Sequence, residues 1–107
     1  MIRRLFLALP WMATAAAAAE DEPLADARRR IDSVDQRIVT LFNERARIVD
    51  EISRIKKSRH LPVSDPRRFQ EVVEKAAAYG KGPLPADSIK RIYERLVEVM
   101  QSWEATL

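Results

Sequence analysis

The chain has 107 residues, of which 33% are charged, and its formal net charge is +3. This length suits one small domain, and a chain without cysteine cannot form a disulfide framework. Without Arg3 and Arg4 the net charge falls from +3 to +1. This near balance gives no support for nucleic-acid binding, because such proteins concentrate basic residues on one face.

The first nineteen residues are typical of a secretory signal. Arg3 and Arg4 form a basic start, an apolar run follows over 5–19, and its final alanines offer a small-residue cleavage site before Glu20. An uncleaved membrane anchor is the alternative, but the run is short for a bilayer span. We therefore expect residues 1–19 to be a cleaved signal peptide and 20–107 to form the domain. The protein is expected to be periplasmic or secreted, with no membrane contact after cleavage.

A long first helix is predicted over roughly 24–58. No glycine or proline occurs from Leu24 to Leu61, and two adjacent heptad rows run through the segment. At about 1.5 Å per residue this helix would be roughly 50 Å long, which exceeds the width of so small a domain. A second copy is therefore expected to pack along it. The rows are Leu24, Ile31, Ile38, Arg45, Ile52 and Ala27, Val34, Leu41, Ile48, Ile55.

Two shorter helices are predicted after Pro62. Ser64 or Asp65 should cap the second, which has Pro66 at its first position and runs to about residue 79. After a turn at 80–83, the third helix is expected from near Pro85 to about residue 105. The sequence shows no strand pattern, so the fold class is all-α, with three helices of unequal length. The expected apolar faces are Phe69, Val72, Val73, Ala76 and Ile89, Tyr93, Leu96, Met100, Trp103, Leu107.

Arg45 interrupts the first apolar row of the long helix. Burial of a guanidinium is costly unless an anion meets it, and the neighbouring sequence offers no obvious acid for that role. The missing anion is therefore expected to be a ligand. Lys56 follows by eleven residues, nearly three turns, and so lies on the same side, about 16 Å along the axis. The alternative is an arginine whose stem packs while its head reaches water.

Three further polar features have ordinary alternatives. Arg28 lies about 25 Å along the helix from Arg45, so it can approach that site only from a second copy. Asp65 and Arg68 flank a helix N-terminus, which favours anions. Glu104 lies near the edge of the third apolar stripe. The alternative for Arg28 is an ordinary solvated charge, and the alternative for Asp65 and Arg68 is a well-capped helix. The alternative for Glu104 is a solvent-facing carboxylate.

In chain order these residues resemble the all-helical chorismate mutases, in their short single-domain form. The resemblance extends from Leu24 to Glu104, and it is the ordered series that is specific, not any single piece. The series is Arg28-x-x-Ile31-x-x-x-Asp35, Asn43-Glu44-Arg45, Ile55-Lys56, Pro62-Val63-x-Asp65-x-x-Arg68, then Met100 and Glu104.

The resemblance implies an intertwined homodimer and a cofactor-free, metal-free [3,3] rearrangement of chorismate to prephenate. Arg28 would come from the partner copy and, with Arg45 and Arg68, hold the two substrate carboxylates. Lys56 would donate to a carboxylate and to the ether oxygen, while Asp65 would lie near the ring hydroxyl. Arg45, Lys56 and Glu104 are the expected catalytic residues.

The sequence departs from the family pattern at three of these positions. Phe69 stands where the family often has a glutamate that contacts the ring hydroxyl, and Met100 replaces a hydroxyl-bearing residue. Glu104 stands where many members have glutamine, and only a protonated carboxyl can donate to the ether oxygen, so activity should fall as pH rises. Two alternatives therefore stay open: an isochorismate pyruvate-lyase that forms salicylate, and a non-catalytic periplasmic helical binding dimer.

Overall fold

The computed structural model describes residues 21–107, which form three helices. Helix α1 spans Glu22–Ser58, α2 spans Pro66–Tyr79 and α3 spans Ala86–Glu104, and no strand occurs within this range. None of the described helices combines the length and apolar character needed to cross a membrane. The predicted signal peptide, residues 1–19, lies outside the described residues.

The predicted helices are confirmed, with boundaries that differ by at most two residues. The start of α2 follows from its cap, because the Asp65 carboxylate accepts a hydrogen bond from the Arg68 backbone N–H at 3.1 Å. Pro66 occupies the first turn, where a backbone N–H has no partner within the helix, so the missing N–H of proline costs no hydrogen bond. Asp65, and not Ser64, is therefore the capping residue.

Helix α1 ends in a Schellman arrangement at His60. The backbone N–H of Leu61 donates to the Lys56 carbonyl at 2.8 Å, and that of His60 donates to the Lys57 carbonyl at 3.3 Å. His60 has a φ of 56°, in the left-handed region where glycine is usually found. This turn directs the chain from α1 into the segment that precedes α2.

The chain divides into two compact units, with the boundary between Phe42 and Asn43. The described part of the first unit is the N-terminal half of α1, where apolar side chains such as Ile31 and Leu41 are 59% and 60% exposed. In the second unit α2 packs along α3. Its buried apolar core consists of Val73, Ala76, Val97 and Met100.

Seven residues of the predicted apolar faces are less buried than the pattern suggested, and among them Ile89, Tyr93 and Leu96 on α3 are half-buried. Phe69 and Val72 are half-buried because they face a cavity and not closed core. Trp103 and Leu107 are exposed, at 39% and 37%. They lie at and beyond the last turn of α3, where fewer neighbouring residues remain to cover them.

Candidate functional site

A cavity of about 320 Å³ lies in the second unit, between the C-terminal half of α1, the segment before α2, and helices α2 and α3. Its wall combines aliphatic side chains with several charged ones, a composition typical of small-molecule sites. The wall includes Arg45, Ile48, Lys56, Val63, Asp65, Arg68, Phe69, Val72, Val97, Met100, Gln101 and Glu104.

Lys56 connects three elements at the wall of this cavity. Its Nζ donates to the Val63 carbonyl oxygen at 2.9 Å and to Glu104 Oε2 at 3.0 Å. An ammonium group has three N–H donors, so one remains for a ligand. The two bonds fix the position of Nζ between α1, the segment before α2, and α3.

Glu104 is buried, with its side chain 5% exposed. The alternative of a solvent-facing carboxylate is therefore wrong. The last turns of α3 bring this side chain against Lys56, whose own side chain is 21% exposed. A buried carboxylate requires a charged or hydrogen-bonding partner, and Lys56 provides both. In the described state Glu104 thus accepts from Lys56.

Arg45 lines the cavity from α1 and is half-buried. Across residues 21–107 its guanidinium forms neither a side-chain hydrogen bond nor a salt bridge, unlike the arginines at 30, 54, 68 and 95. Since a partly desolvated guanidinium favours an anion as partner, Arg45 is available to a negatively charged ligand.

Arg68 lies on the first turn of α2, where it lines the cavity but remains exposed. Its Nη1 donates to Glu71 Oε1 at 2.8 Å, and the same oxygen accepts from Lys75 Nζ at 2.9 Å. The hydrogen bond and the charge of Lys75 hold the pKa of Glu71 below its ordinary value, with a further contribution from Arg68. Glu71 therefore stays ionised and holds one edge of the guanidinium, while the other N–H groups of Arg68 remain available.

The charged side chains of the wall favour an anionic ligand. Three are cations, Arg45, Lys56 and Arg68, and two are acids, Asp65 and Glu104. Both acids already accept hydrogen bonds, Asp65 from the α2 backbone and Glu104 from Lys56. The remaining donors converge on an apolar cavity, where hydrogen bonds to an anion are stronger than in water.

Five of the six site residues predicted from the sequence thus line one cavity. The sixth, Arg28, belongs to the first unit and is exposed there. The prediction missed the Val63 carbonyl, Glu71 and Gln101. Gln101 precedes Glu104 by three residues, and this spacing places both on one face of a helix, so the sequence held a signal for it. Within residues 21–107 no cluster of three or more metal-ligating side chains occurs.

Comparison with known proteins gives one consistent family. The family model described as chorismate mutase type II matches residues 27–104. A bifunctional chorismate mutase/prephenate dehydratase of Aquifex aeolicus is 33% identical over 87 residues, which cover 78% of this chain and 24% of that protein. The enzyme of the same name from Neisseria gonorrhoeae is 34% identical over 77 residues, 72% of this chain and 21% of its own length.

A solved structure extends the likeness to the fold. The structure of chorismate mutase (form II) from Thermus thermophilus matches with a TM-score of 0.73 and 29% identity, covering 77% of this chain and 93% of that one. By contrast, the chain spans only about a quarter of the length of the curated bifunctional relatives that it matches.

Proposed function

Because the chain belongs to the chorismate mutase type II family, we propose that it rearranges chorismate to prephenate. The observation that carries the proposal is the half-buried Arg45, which faces the same cavity as the fixed ammonium of Lys56 and makes no polar side-chain contact of its own within residues 21–107. Such a pair suits a compact dianion. The solved relative from Thermus thermophilus supports the same proposal at the level of the fold.

The reaction needs conformational control and charge stabilisation, and the cavity offers both. Chorismate carries two carboxylates, for which Arg45 and Arg68 provide guanidinium donors in this chain. Held at both carboxylates, the substrate is restricted to the compact conformer in which the new carbon–carbon bond can form. Apolar side chains such as Val72 and Val97 exclude water from the ring.

Negative charge grows on the ether oxygen as its bond to the ring breaks. The third N–H of Lys56 is the donor available to that oxygen, because the Val63 carbonyl and Glu104 accept the other two. A donor held in place before the reaction needs no reorganisation in the transition state, which is the main electrostatic contribution in such sites. The rearrangement is concerted and transfers no proton to the protein.

We also propose that the active form is a homodimer in which Arg28 reaches the partner's cavity. The long rows of apolar residues on α1 support this, since Ile31, Leu41 and Ile48 are more than half exposed in one chain. A stable α-helical protein of this size would cover such a surface.

Mixing two inactive variants tests the crossing of Arg28. Arg28→Ala and Arg45→Ala, each purified alone, are expected to have little activity. After subunit exchange, a heterodimer contains one cavity with both arginines, so activity should return to about a quarter of the wild-type level. If Arg28 acts within its own chain, no cavity in the mixture is complete and no activity returns.

Phe69 favours a second candidate function, the cleavage of isochorismate to salicylate and pyruvate. An apolar residue stands there in the cavity wall in place of a hydroxyl-binding carboxylate. Incubation of the purified protein with chorismate and, separately, with isochorismate distinguishes the functions. Prephenate from chorismate supports the mutase, salicylate from isochorismate supports the lyase, and inactivity on both supports a binding dimer.

Export is a separate proposal that rests on the sequence of residues 1–19. Their basic start, apolar run and terminal alanines favour cleavage before Glu20 and a periplasmic or secreted enzyme. Amino-terminal sequencing of the protein from periplasmic and culture fractions tests this directly. A protein that stays in the cytoplasm and still begins at Met1 would contradict it.

A further inference from the structure

Two polar side chains of the cavity wall lack a side-chain hydrogen bond within residues 21–107, Arg45 and Gln101. The others are engaged: Lys56 with Val63 and Glu104, Arg68 with Glu71, and Asp65 with the α2 backbone. Arg45 has a proposed partner in a substrate carboxylate. Gln101 lines the cavity, is half-buried and has no assigned role.

The wall of the cavity that Gln101 lines is mainly apolar. It follows Met100 on α3, and Phe69 and Val72 contribute to the cavity wall from α2, which packs along α3. Glu104 lies one turn further on the same face of α3, but it is paired with Lys56. Among the wall residues within 21–107, Gln101 is therefore the neutral side chain that can both donate a hydrogen bond to a ligand and accept one from it.

The polar groups of the proposed substrate can be matched to the wall by charge. Its two carboxylates suit guanidinium groups, and its ether oxygen suits the ammonium of Lys56. The ring hydroxyl remains, since the Asp65 carboxylate that the resemblance places near it already accepts from the α2 backbone. An alcohol both donates and accepts, as does a primary amide, and leaving it unpaired in an apolar cavity is costly. The apolar side chain of Phe69 can neither donate a hydrogen bond to this hydroxyl nor accept one from it.

We propose that Gln101 is a specificity-determining residue that hydrogen-bonds the ring hydroxyl of the substrate. This inference rests on the proposed mutase function and deepens it. It gives the cavity a hydroxyl-recognising group on α3, which compensates for Phe69 on α2. The amide helps the cavity to select ring dicarboxylates that carry a hydroxyl group. It does not contact the bonds that form and break.

The test compares two proteins on two substrates. Gln101→Met keeps the length of the side chain and removes the amide, and the substrates are chorismate and its analogue without the ring hydroxyl. For chorismate kcat/KM should fall about tenfold, the usual effect of one lost hydrogen bond to a buried polar group. For the deoxy analogue it should change by less than about twofold, because the contact is already absent.

Gln70→Met is the matched control, since this exposed glutamine on α2 hydrogen-bonds Glu74 and does not line the cavity. It should leave both substrates unaffected. An equal loss on both substrates for Gln101→Met, or no loss on either, overturns the inference while leaving the mutase function intact. A wild-type protein that turns over neither substrate overturns the proposed function and the inference together. A structural effect of the substitution would lower both rates and would not change their ratio.

Discussion

Removal of Lys56 should expose how strongly the buried carboxylate of Glu104 depends on it. Lys56→Met keeps the aliphatic stem and removes the charge. Glu104 is 5% exposed, and within residues 21–107 the Lys56 ammonium is the donor of its side-chain hydrogen bond. The substitution therefore leaves a buried charge without a partner.

The expected loss follows from the burial of this pair. Breaking one side of a buried ion pair costs about 3–5 kcal/mol. The Lys56 side chain is 21% exposed, so the pair is only partly shielded from water and we expect about 3 kcal/mol, the lower end of that range. In a domain of this size such a loss lowers Tm by roughly 15 °C.

Urea unfolding followed by far-UV circular dichroism measures the change, at one fixed protein concentration because association affects apparent stability. Arg54→Met is the control on the same helix, since its salt bridge with Asp50 is exposed and should contribute less than about 1 kcal/mol. The double variant Lys56→Met with Glu104→Met should recover to within about 1 kcal/mol of wild type. A single variant as stable as wild type, or a double variant no better than the single, would refute the reasoning.

Two further predictions concern the end of α1 and the acid beside Arg68. His60→Gly should stabilise the protein by up to about 1 kcal/mol in urea unfolding, because His60 adopts a φ of 56°; destabilisation would contradict this. Glu71→Gln should lower stability at neutral pH. Because the pKa of Glu71 is lowered below 4.5 on folding, its contribution is present above that value and is lost as pH falls through the lowered pKa, so the two unfolding curves should converge in acid.

The helices could be predicted from the sequence because local signals agree there. The apolar period of α1, the cap at Asp65 and Pro66, and the turn before α3 each depend on residues a few positions apart. The spacing of eleven residues, nearly three helical turns, also predicted that Arg45 and Lys56 lie on one side of α1. These two side chains do line the same cavity.

The contacts within the site depend on residues far apart in the chain. The burial of Glu104 requires α3 to bring its last turn against Lys56, 48 residues earlier, and periodicity alone left this carboxylate at the edge of a stripe. The bond from Lys56 to the Val63 carbonyl depends on the path of the backbone after His60. Side-chain types do not specify that path. The crossing of Arg28 requires a second chain and is still a prediction.

Turnover of chorismate by wild type and by Arg45→Ala, with both proteins shown to be folded, tests the central claim most directly. The claim is that Arg45 lines the cavity in order to bind a substrate carboxylate. Wild type should yield prephenate, and the variant should lose about 10²- to 10³-fold in kcat/KM. Its stability should be equal or greater, since a half-buried guanidinium without a partner is costly. A variant that makes prephenate as fast as wild type, or one that unfolds where wild type is folded, would contradict the account.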